Sequence, residues 1–393
     1  MTDSFHTFEE AENFCFSFIS PEGTRKRTLK RITALMHLLG NPQKHLHVIH
    51  VTGSYGKSST AYMIASLLEQ KGLVVGLHIK PHLQSITERM CINRVPMSNK
   101  TFVTYVNKIR PVIASMDEQP TYFELLVAIT LLYFFDNHVD VAVMEAGRGG
   151  RLDATNICDS DMLVITNVFL AHTDILGKTK KEIIQEKMGL ARPHTNIISG
   201  VTQKYLQTYL LLLAKPLHAT VEFANTACIR HIAVPLKGNA QRGNAVLALA
   251  AAKNYTTLTD KQIITAFASM KFPGRFEVQH IGTNTIIMDS AHNSEKMRFL
   301  LHDLQKEYPA QKMTVILRYE NEVEMKAFKK ILRHITKNIL LVTLAESKTK
   351  QGLSVSDAIE YMNTQTDAIF LVTGSMQLIG RIRAGLSLPY TLK

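Results

Sequence analysis

One stretch of the 393-residue chain limits what it can fold into more than any other: residues 47–72, HVIHVTGSYGKSSTAYMIASLLEQKG. His47 to Val51 alternates histidine with branched apolar residues and predicts a strand. The turn Gly53-Ser54-Tyr55-Gly56-Lys57-Ser58 follows, and then Ala61, Ile64, Ala65 and Leu68 recur at helical spacing until Gly72. Strand, glycine turn and helix in this order cradle a phosphate chain. Glycines let the backbone come close, and the amides at the helix start face the anion. Lys57 reaches the β- and γ-phosphates, and a hydroxyl at Ser58 or Ser59 can face Mg2+. The common phosphate-loop pattern is incomplete, because Val51 stands where its first glycine belongs. The same residues would also serve as a plain glycine turn with a solvated lysine.

The rest of the chain repeats the strand–helix alternation. Helices are predicted over 8–19 and 25–39, ending at Gly40-Asn41-Pro42, then a strand over 73–79 and a polar, irregular loop over 81–96. Helices over 99–116 and 122–135 precede short apolar strands at 139–144, 163–166 and 196–199. Further helices are expected over 203–214 and 243–253. Beyond Pro273-Gly274 the alternation restarts, with strands at 285–288, 314–317, 339–343 and 369–372. The expected fold class is therefore α/β, three-layered in two domains, 1–273 and 274–393.

The longest apolar run, Leu125 to Phe135, is too short for a bilayer, which takes about 20 residues. Asp3, Glu9, Glu10 and Glu12 precede any Lys or Arg, unlike a secretory leader, and the four cysteines (15, 91, 158, 228) have neither disulfide density nor metal-ligand spacing. A cytoplasmic protein without a membrane partner is expected. The net charge of +12 favours anionic partners. No long basic run or RNA-binding aromatic signature accompanies it, which sets nucleic acid behind nucleotides and polycarboxylates. A basic surface serving only solubility is the alternative.

Several predicted strands run straight into reactive side chains, where open α/β sheets bind ligands. Glu145 directly follows one, beside a glycine-rich turn suited to a Mg2+–phosphate site. A salt bridge from Glu145 to Arg148 or Arg151 is the alternative. His172 lies six residues past another strand, and Asp289 and His292 follow a third. Composition alone gives Lys187 only the role of a solvated helix lysine.

The motifs, in order, are LGNPQ from Leu39, HVTGSYGKSST from His50, KPHL from Lys80, TERMCIN from Thr87 and TYFE from Thr121. EAGRGGRLDATN from Glu145, HTDILG from His172, EKMGL from Glu186, Asn244-Ala245, PGRFE from Pro273, DSAHN from Asp289 and TGSMQLIG from Thr373 follow. In this order they resemble the folylpolyglutamate synthase/dihydrofolate synthase branch of the Mur ligase superfamily, over most of the chain.

The resemblance implies a Mur-ligase-like N-terminal P-loop ATPase domain and a smaller Rossmann-like C-terminal domain. The implied activity is ATP-dependent amide ligation. ATP phosphorylates an acceptor carboxylate, and the acyl phosphate is attacked by an amino acid, here L-glutamate on a folate-type acceptor. It implies ATP and Mg2+ as cofactors and a monomer. Gly53, Ser54, Gly56, Lys57, Ser58, Ser59 and Thr60 would bind the triphosphate, with Asn244 at the adenine. Arg275, Asp289 and His292 would join from the C-terminal domain. Glu145, His172 and Ser59 would hold magnesium. Lys57, His172 and Lys187 would be catalytic, Lys187 matching a lysine that relatives carbamylate. The acceptor side falls on Lys80, His82, Arg89, Ala171 and Asp174.

Four departures stand out, two of them on that acceptor side. Lys80 replaces the family serine of SPHL, Ala171 replaces an aspartate associated with pterin recognition, and Arg148 replaces an apolar residue. LRYENEVEMK (317–326) occupies the place of a KDKD segment, and the Pro-Arg pair usual further on is missing near 344–348. Dihydrofolate synthase activity is therefore not expected. A Mur-type ligase acting on another carboxylate, and a non-catalytic nucleotide-binding protein, are the alternatives.

Overall fold

The structure, a computed structural model, describes residues 4–21, 25–170, 173–224, 239–309, 312–344 and 352–392. The chain divides into two compact units. The first comprises 1–80, 86–233 and 243–269, and the second 81–85, 234–242 and 270–393.

The first unit is built on eight strands: β1 (Val48–Thr52), β2 (Val75–His78), β3 (Met90–Ile92), β4 (Val95–Pro96), β5 (Val141–Glu145), β6 (Met162–Ile165), β7 (Asn196–Ser199) and β8 (Thr220–Phe223). Their order is β4-β3-β2-β5-β1-β6-β7-β8. The ladders are parallel except where β3 pairs with β2 and β4 with β3. The central strands VIHVT, VAVME and MLVI are buried along their whole length. They need continuous apolar runs because helices cover both faces.

On one face Ile32, Leu35, Phe102, Val106, Leu125 and Phe134 pack together, carried by the helices Lys30–Leu38, Asn99–Ala114 and Tyr122–Asp136. The last is apolar all round, as a fully buried helix must be, and Thr121 and Glu124 start it with a reciprocal capping box. Arg31 meets the buried Glu124 at 3.0 Å and the exposed Glu118 at 2.8 Å. On the other face Ile183, Ile184, Leu206 and Leu210 cover Leu163, Ile165 and Ile197.

The histidines inside the strands are neutral core residues. His50 is held between Ser160 Oγ at 2.6 Å and the Thr155 carbonyl at 3.0 Å. Burial pushes its pKa down to about 4, and that of His78 to about 3.

The second unit carries β9 (Glu277–Ile281), β10 (Asn284–Asp289), β11 (Met313–Leu317), β12 (Ile339–Leu341) and β13 (Ile369–Thr373) in the order β12-β11-β13-β10-β9. Only the β9–β10 pairing is antiparallel. Met297, Leu300, Leu304, Phe328 and Leu332 fill one side of this sheet. Ile286, Phe370, Leu378 and Ile379 fill the other, where Leu83 joins them.

Secondary structure departs from expectation at recognisable places. The polar stretch 81–96, expected as a loop, contains the turn Ile86–Arg89 and the β3–β4 hairpin. Met90–Ile92 and Val95–Pro96 add two antiparallel strands to an otherwise parallel sheet. β8 and β9 were not expected, being short edge strands whose side chains are half-exposed or exposed. The helix Asp260–Ala268 was also missed, although Thr259 and Gln262 form a capping box at its start. The two N-terminal helices are shorter than their periodicity suggests, spanning Phe8–Phe16 and Lys30–Leu38. No helix among the described residues is long and apolar enough to cross a membrane.

Candidate active site

β1 lies between β5 and β6, with Val51 opposite Glu145 and Thr52 opposite Ile165. The carboxyl ends of these three strands thus bring Gly53, Glu145 and Thr166 to one sheet edge, the usual place for a ligand in an open α/β sheet.

The turn after β1 is fixed by its glycines and by the segment after β6. Gly53 has φ 150°, and a Cβ there would lie 1.8 Å from Thr166 Oγ1. Gly56 takes the left-handed φ 75° as N-cap of the helix Lys57–Glu69, and a Cβ there would lie 2.2 Å from Asn244 Oδ1. The Thr166 hydroxyl donates to the Tyr55 carbonyl, Tyr55 N–H donates to Asn167 Oδ1 at 3.0 Å, and Phe169 N–H donates to Ser54 Oγ at 3.0 Å. The first N–H groups of a helix have no acceptor within it, so the start of Lys57–Glu69 presents donors and a partial positive charge to an anion. Half-buried Lys57 folds back over the turn, its ammonium donating to the Gly53 carbonyl at 3.2 Å.

Glu145 is 2% exposed, and its Oε2 accepts the Lys80 backbone N–H at 2.9 Å. Ser58 Oγ donates to the Lys80 carbonyl at 3.1 Å, so this hydroxyl ties the phosphate turn to the end of β2. The Lys80 ammonium stands 5.1 Å from the ring centroid of Phe123. Loss of water pushes its pKa down to about 8, reinforced by Lys57 and Arg89 and opposed by Asp153 and Glu145. Asp153 uses its carboxylate on the Arg148 N–H at 2.9 Å and on Thr155 N–H and Oγ1 at 3.2 and 2.8 Å. Arg151 pairs with Glu186 at 2.7 Å, so the salt bridge open to it at the sequence level goes to α-helical Glu186 and not to Glu145.

Lys187 is 1% exposed, which corrects its reading as a solvated helix lysine. It ends the helix Lys180–Met188, which docks on the glycine turn after β5: Arg151 N–H donates to the Glu186 carbonyl at 2.8 Å. A Cβ on Gly150 would sit 2.9 Å from the Lys187 carbonyl. Burial pushes the Lys187 amine down to about 7; Lys57 pushes the same way, while Asp153 opposes. A large part of it is therefore neutral, and nucleophilic, near pH 7.

Among the described residues no three His, Cys, Asp or Glu side chains converge as a metal cluster. This donor set fits Mg2+, which takes one or two carboxylates and completes its octahedron with phosphate oxygens and water. Glu145, and Ser59, which is 3% exposed in the first turn of its helix, are oxygen-bearing side chains that could serve as such donors. His172 and Ala171 lie outside the described residues.

The remaining expected residues are dispersed. Asn244 packs on Gly56, and Thr60 is fully buried in the helix Lys57–Glu69. The Arg89 guanidinium lies 5.6 Å from the Tyr122 ring centroid, and Asp174 is exposed in the short helix Thr173–Leu176. His82 belongs to the second unit, as do Arg275, Asp289 and His292. There, burial raises the Asp289 pKa, while Arg275 and the N–H groups of Phe276 and Ala291 draw it down. His292 Nδ1 donates to the Ser290 carbonyl at 2.9 Å, and its Nε2 accepts from Lys296 at 3.1 Å. Arg275 lines a cavity of about 330 Å3 with Phe272, Glu277 and Arg383.

Two supports were missed from sequence. Asp153 braces the turn after Glu145, and its Asp-x-Thr pattern is an Asx-turn signal that could have found it. Phe123 under Lys80 has no signal in local spacing, since strand β2 and a distant helix bring them together.

Comparison with known proteins agrees with this geometry. Residues 51–281 match the Mur ligase middle domain. The chain is 28% identical to the dihydrofolate synthase/folylpolyglutamate synthase of Bacillus subtilis over 409 residues, covering 91% of this chain and 94% of that protein. It is 32% identical to the folylpolyglutamate synthase of Lacticaseibacillus casei over 319 residues, covering 73% and 74%. Among solved structures, the apo form of the L. casei enzyme superposes with a TM-score of 0.87 at 27% identity, over 97% of this chain and 100% of that one. An FPGS–AMPPCP–folate complex gives 0.85 at 27% identity, with the same coverage.

Proposed function

The chain belongs to the folylpolyglutamate synthase/dihydrofolate synthase family of Mur ligases, and from that premise we propose that it joins L-glutamate to a reduced folate at the expense of ATP. The observation that carries the proposal is the shared sheet edge, where the Gly53–Lys57 turn and Glu145 emerge from neighbouring strands beside the lysines Lys57, Lys80 and Lys187. Such an edge holds a polyphosphate and neutralises the charge that develops as a phosphoryl group moves.

The steps follow from that charge pattern. An oxygen of the acceptor carboxylate attacks the γ-phosphorus, and the bond to the β-phosphate oxygen breaks, releasing ADP. The amine of glutamate then attacks the acyl carbon, loses a proton, and displaces phosphate as the amide forms. Lys57 and the amides at the start of its helix hold the β- and γ-phosphates. Mg2+, held by Glu145 and Ser59, supplies further charge neutralisation when bound. The neutral Lys187 amine attacks the carbon of CO2 and gives up a proton to the solvent, leaving a carbamate, an anion beside the same site. Arg89 and Asp174 serve the substrates. The enzyme acts as a cytoplasmic monomer, in keeping with buried, unpaired Cys15, Cys91 and Cys158.

Lys80, whose ammonium interacts with Glu145, and the exposed Arg148 three residues after Glu145 add positive charge to this region, which favours a second reading: the same ligation on a non-folate carboxylate. A panel of acceptors and amino acids with phosphate release as readout separates the two. Release only when tetrahydrofolate and glutamate are both present supports the first. Release with another acid and none with tetrahydrofolate supports the second and overturns the first.

A further inference from the structure

Lys80 is a cation built into the backbone framework of the phosphate site. Its N–H is held by Glu145 Oε2 at 2.9 Å and its carbonyl by Ser58 Oγ at 3.1 Å, so the residue is pinned to both the carboxylate and the phosphate turn. Its side chain runs over Phe123 toward Gly147. The point where a Cβ of Gly147 would stand is 3.1 Å from Lys80 Nζ and 2.5 Å from Asp153 Oδ2. A Cβ at 147 would clash with Asp153 and crowd Phe123 and Lys80, so the glycine gives this cluster its room.

A fixed ammonium beside buried carboxylates does what a metal ion does in a phosphate site: it neutralises the acid and offers positive charge to phosphate oxygens. It also repels a divalent ion from the same place, since two cations a few ångströms apart raise each other's energy. Asp153, moreover, has its oxygens committed to Arg148 and Thr155 and offers little to a metal.

We infer that Lys80 is a tethered cation standing in for one divalent metal ion, so that the nucleotide complex of this chain holds a single metal ion. The inference rests on the nucleotide-site reading above. It also predicts a simple conversion: removing the ammonium and supplying a hydroxyl should open a second metal position next to Glu145.

The test counts ions. Mn2+ is titrated into the full-length protein saturated with a non-hydrolysable ATP analogue, with free Mn2+ followed by electron paramagnetic resonance, for the native chain and for Lys80→Ser. One Mn2+ in the native complex and two in Lys80→Ser are expected. Two in the native complex, or one in both proteins, overturns the assignment. Should Lys80→Ser not fold, the native count decides alone, and Lys80→Arg, which keeps the charge, should again hold one. A native chain that binds no ATP analogue overturns the functional reading and this inference with it. An analogue bound with two Mn2+ overturns only the role of Lys80.

Discussion

The backbone N–H of Lys80 donates to the side chain of Glu145 at 2.9 Å, joining the end of β2 to the end of β5 across the candidate site. Glu145 thus has one oxygen tied to the framework and one for chemistry. Glu145→Gln keeps an oxygen acceptor for Lys80 but loses the charge. Its melting temperature should stay near native while ATP-dependent phosphate release falls by about 100-fold or more, the scale of losing one electrostatic stabiliser of the reacting group. A coupled phosphate assay beside a thermal melt reads both.

Replacing Gly56 with alanine places a Cβ 2.2 Å from Asn244 Oδ1, at a φ of 75° that side chains rarely adopt. Strain of about 1–3 kcal/mol at such a position must be relieved by moving the turn or Asn244. ATP affinity should fall about 5- to 140-fold, by the conversion of 1.4 kcal/mol per decade. Calorimetric titration with a non-hydrolysable analogue checks it.

The Lys187 amine, pushed down to about 7 by burial, gains CO2 only when neutral. Its neutral fraction grows as pH rises through that value, so carbamate formation at fixed CO2 should rise from pH 6 to 8. A carbamate carbon signal with 13C-labelled bicarbonate should appear in the native protein and be absent in Lys187→Met, which should also be inactive. The same depressed pKa makes the folded state bind fewer protons than the unfolded one between about 7 and 10.5, so this lysine contributes stability that increases with pH over that window.

His50 and His78 act in a lower window. Their folded pKa values, about 4 and about 3, lie below the unfolded value near 6.5, so the unfolded chain takes up protons first as pH falls. Stability should drop progressively from pH 6.5 toward 4. Denaturant midpoints measured across that range should slope less in His50→Gln than in the native chain.

Arg31 tests the core independently of the site. Its partner Glu124 is buried, so Arg31→Met leaves a carboxylate without its cation and should cost about 3–5 kcal/mol. The double variant Arg31→Met/Glu124→Leu should recover much of that loss in urea unfolding.

The parts of this architecture that sequence disclosed are those in which one local signal suffices. The strand, glycine turn and helix of residues 48–69 show their periods directly, and VAVME and MLVI are apolar because both their faces are covered. Sequence was silent where the deciding partner is remote. Lys187 looks like a surface lysine in EKMGL, and only its docking on the Gly149–Arg151 turn buries it. Lys80 was visible as a departure from a family serine, but its seat depends on Phe123, Gly147 and Asp153, which the fold assembles. Edge strands β8 and β9 escaped because half-exposed strands carry mixed residues and little apolar pattern.

In the proposed reaction ATP activates an acceptor carboxylate that glutamate then captures. An acceptor labelled with 18O in its terminal carboxylate, turned over with Mg-ATP and glutamate, tests it most directly through the mass of the released phosphate. One 18O atom should pass into each phosphate, and phosphate should form only when glutamate is present. Unlabelled phosphate, or release that ignores the acceptor, would rule out the acyl phosphate.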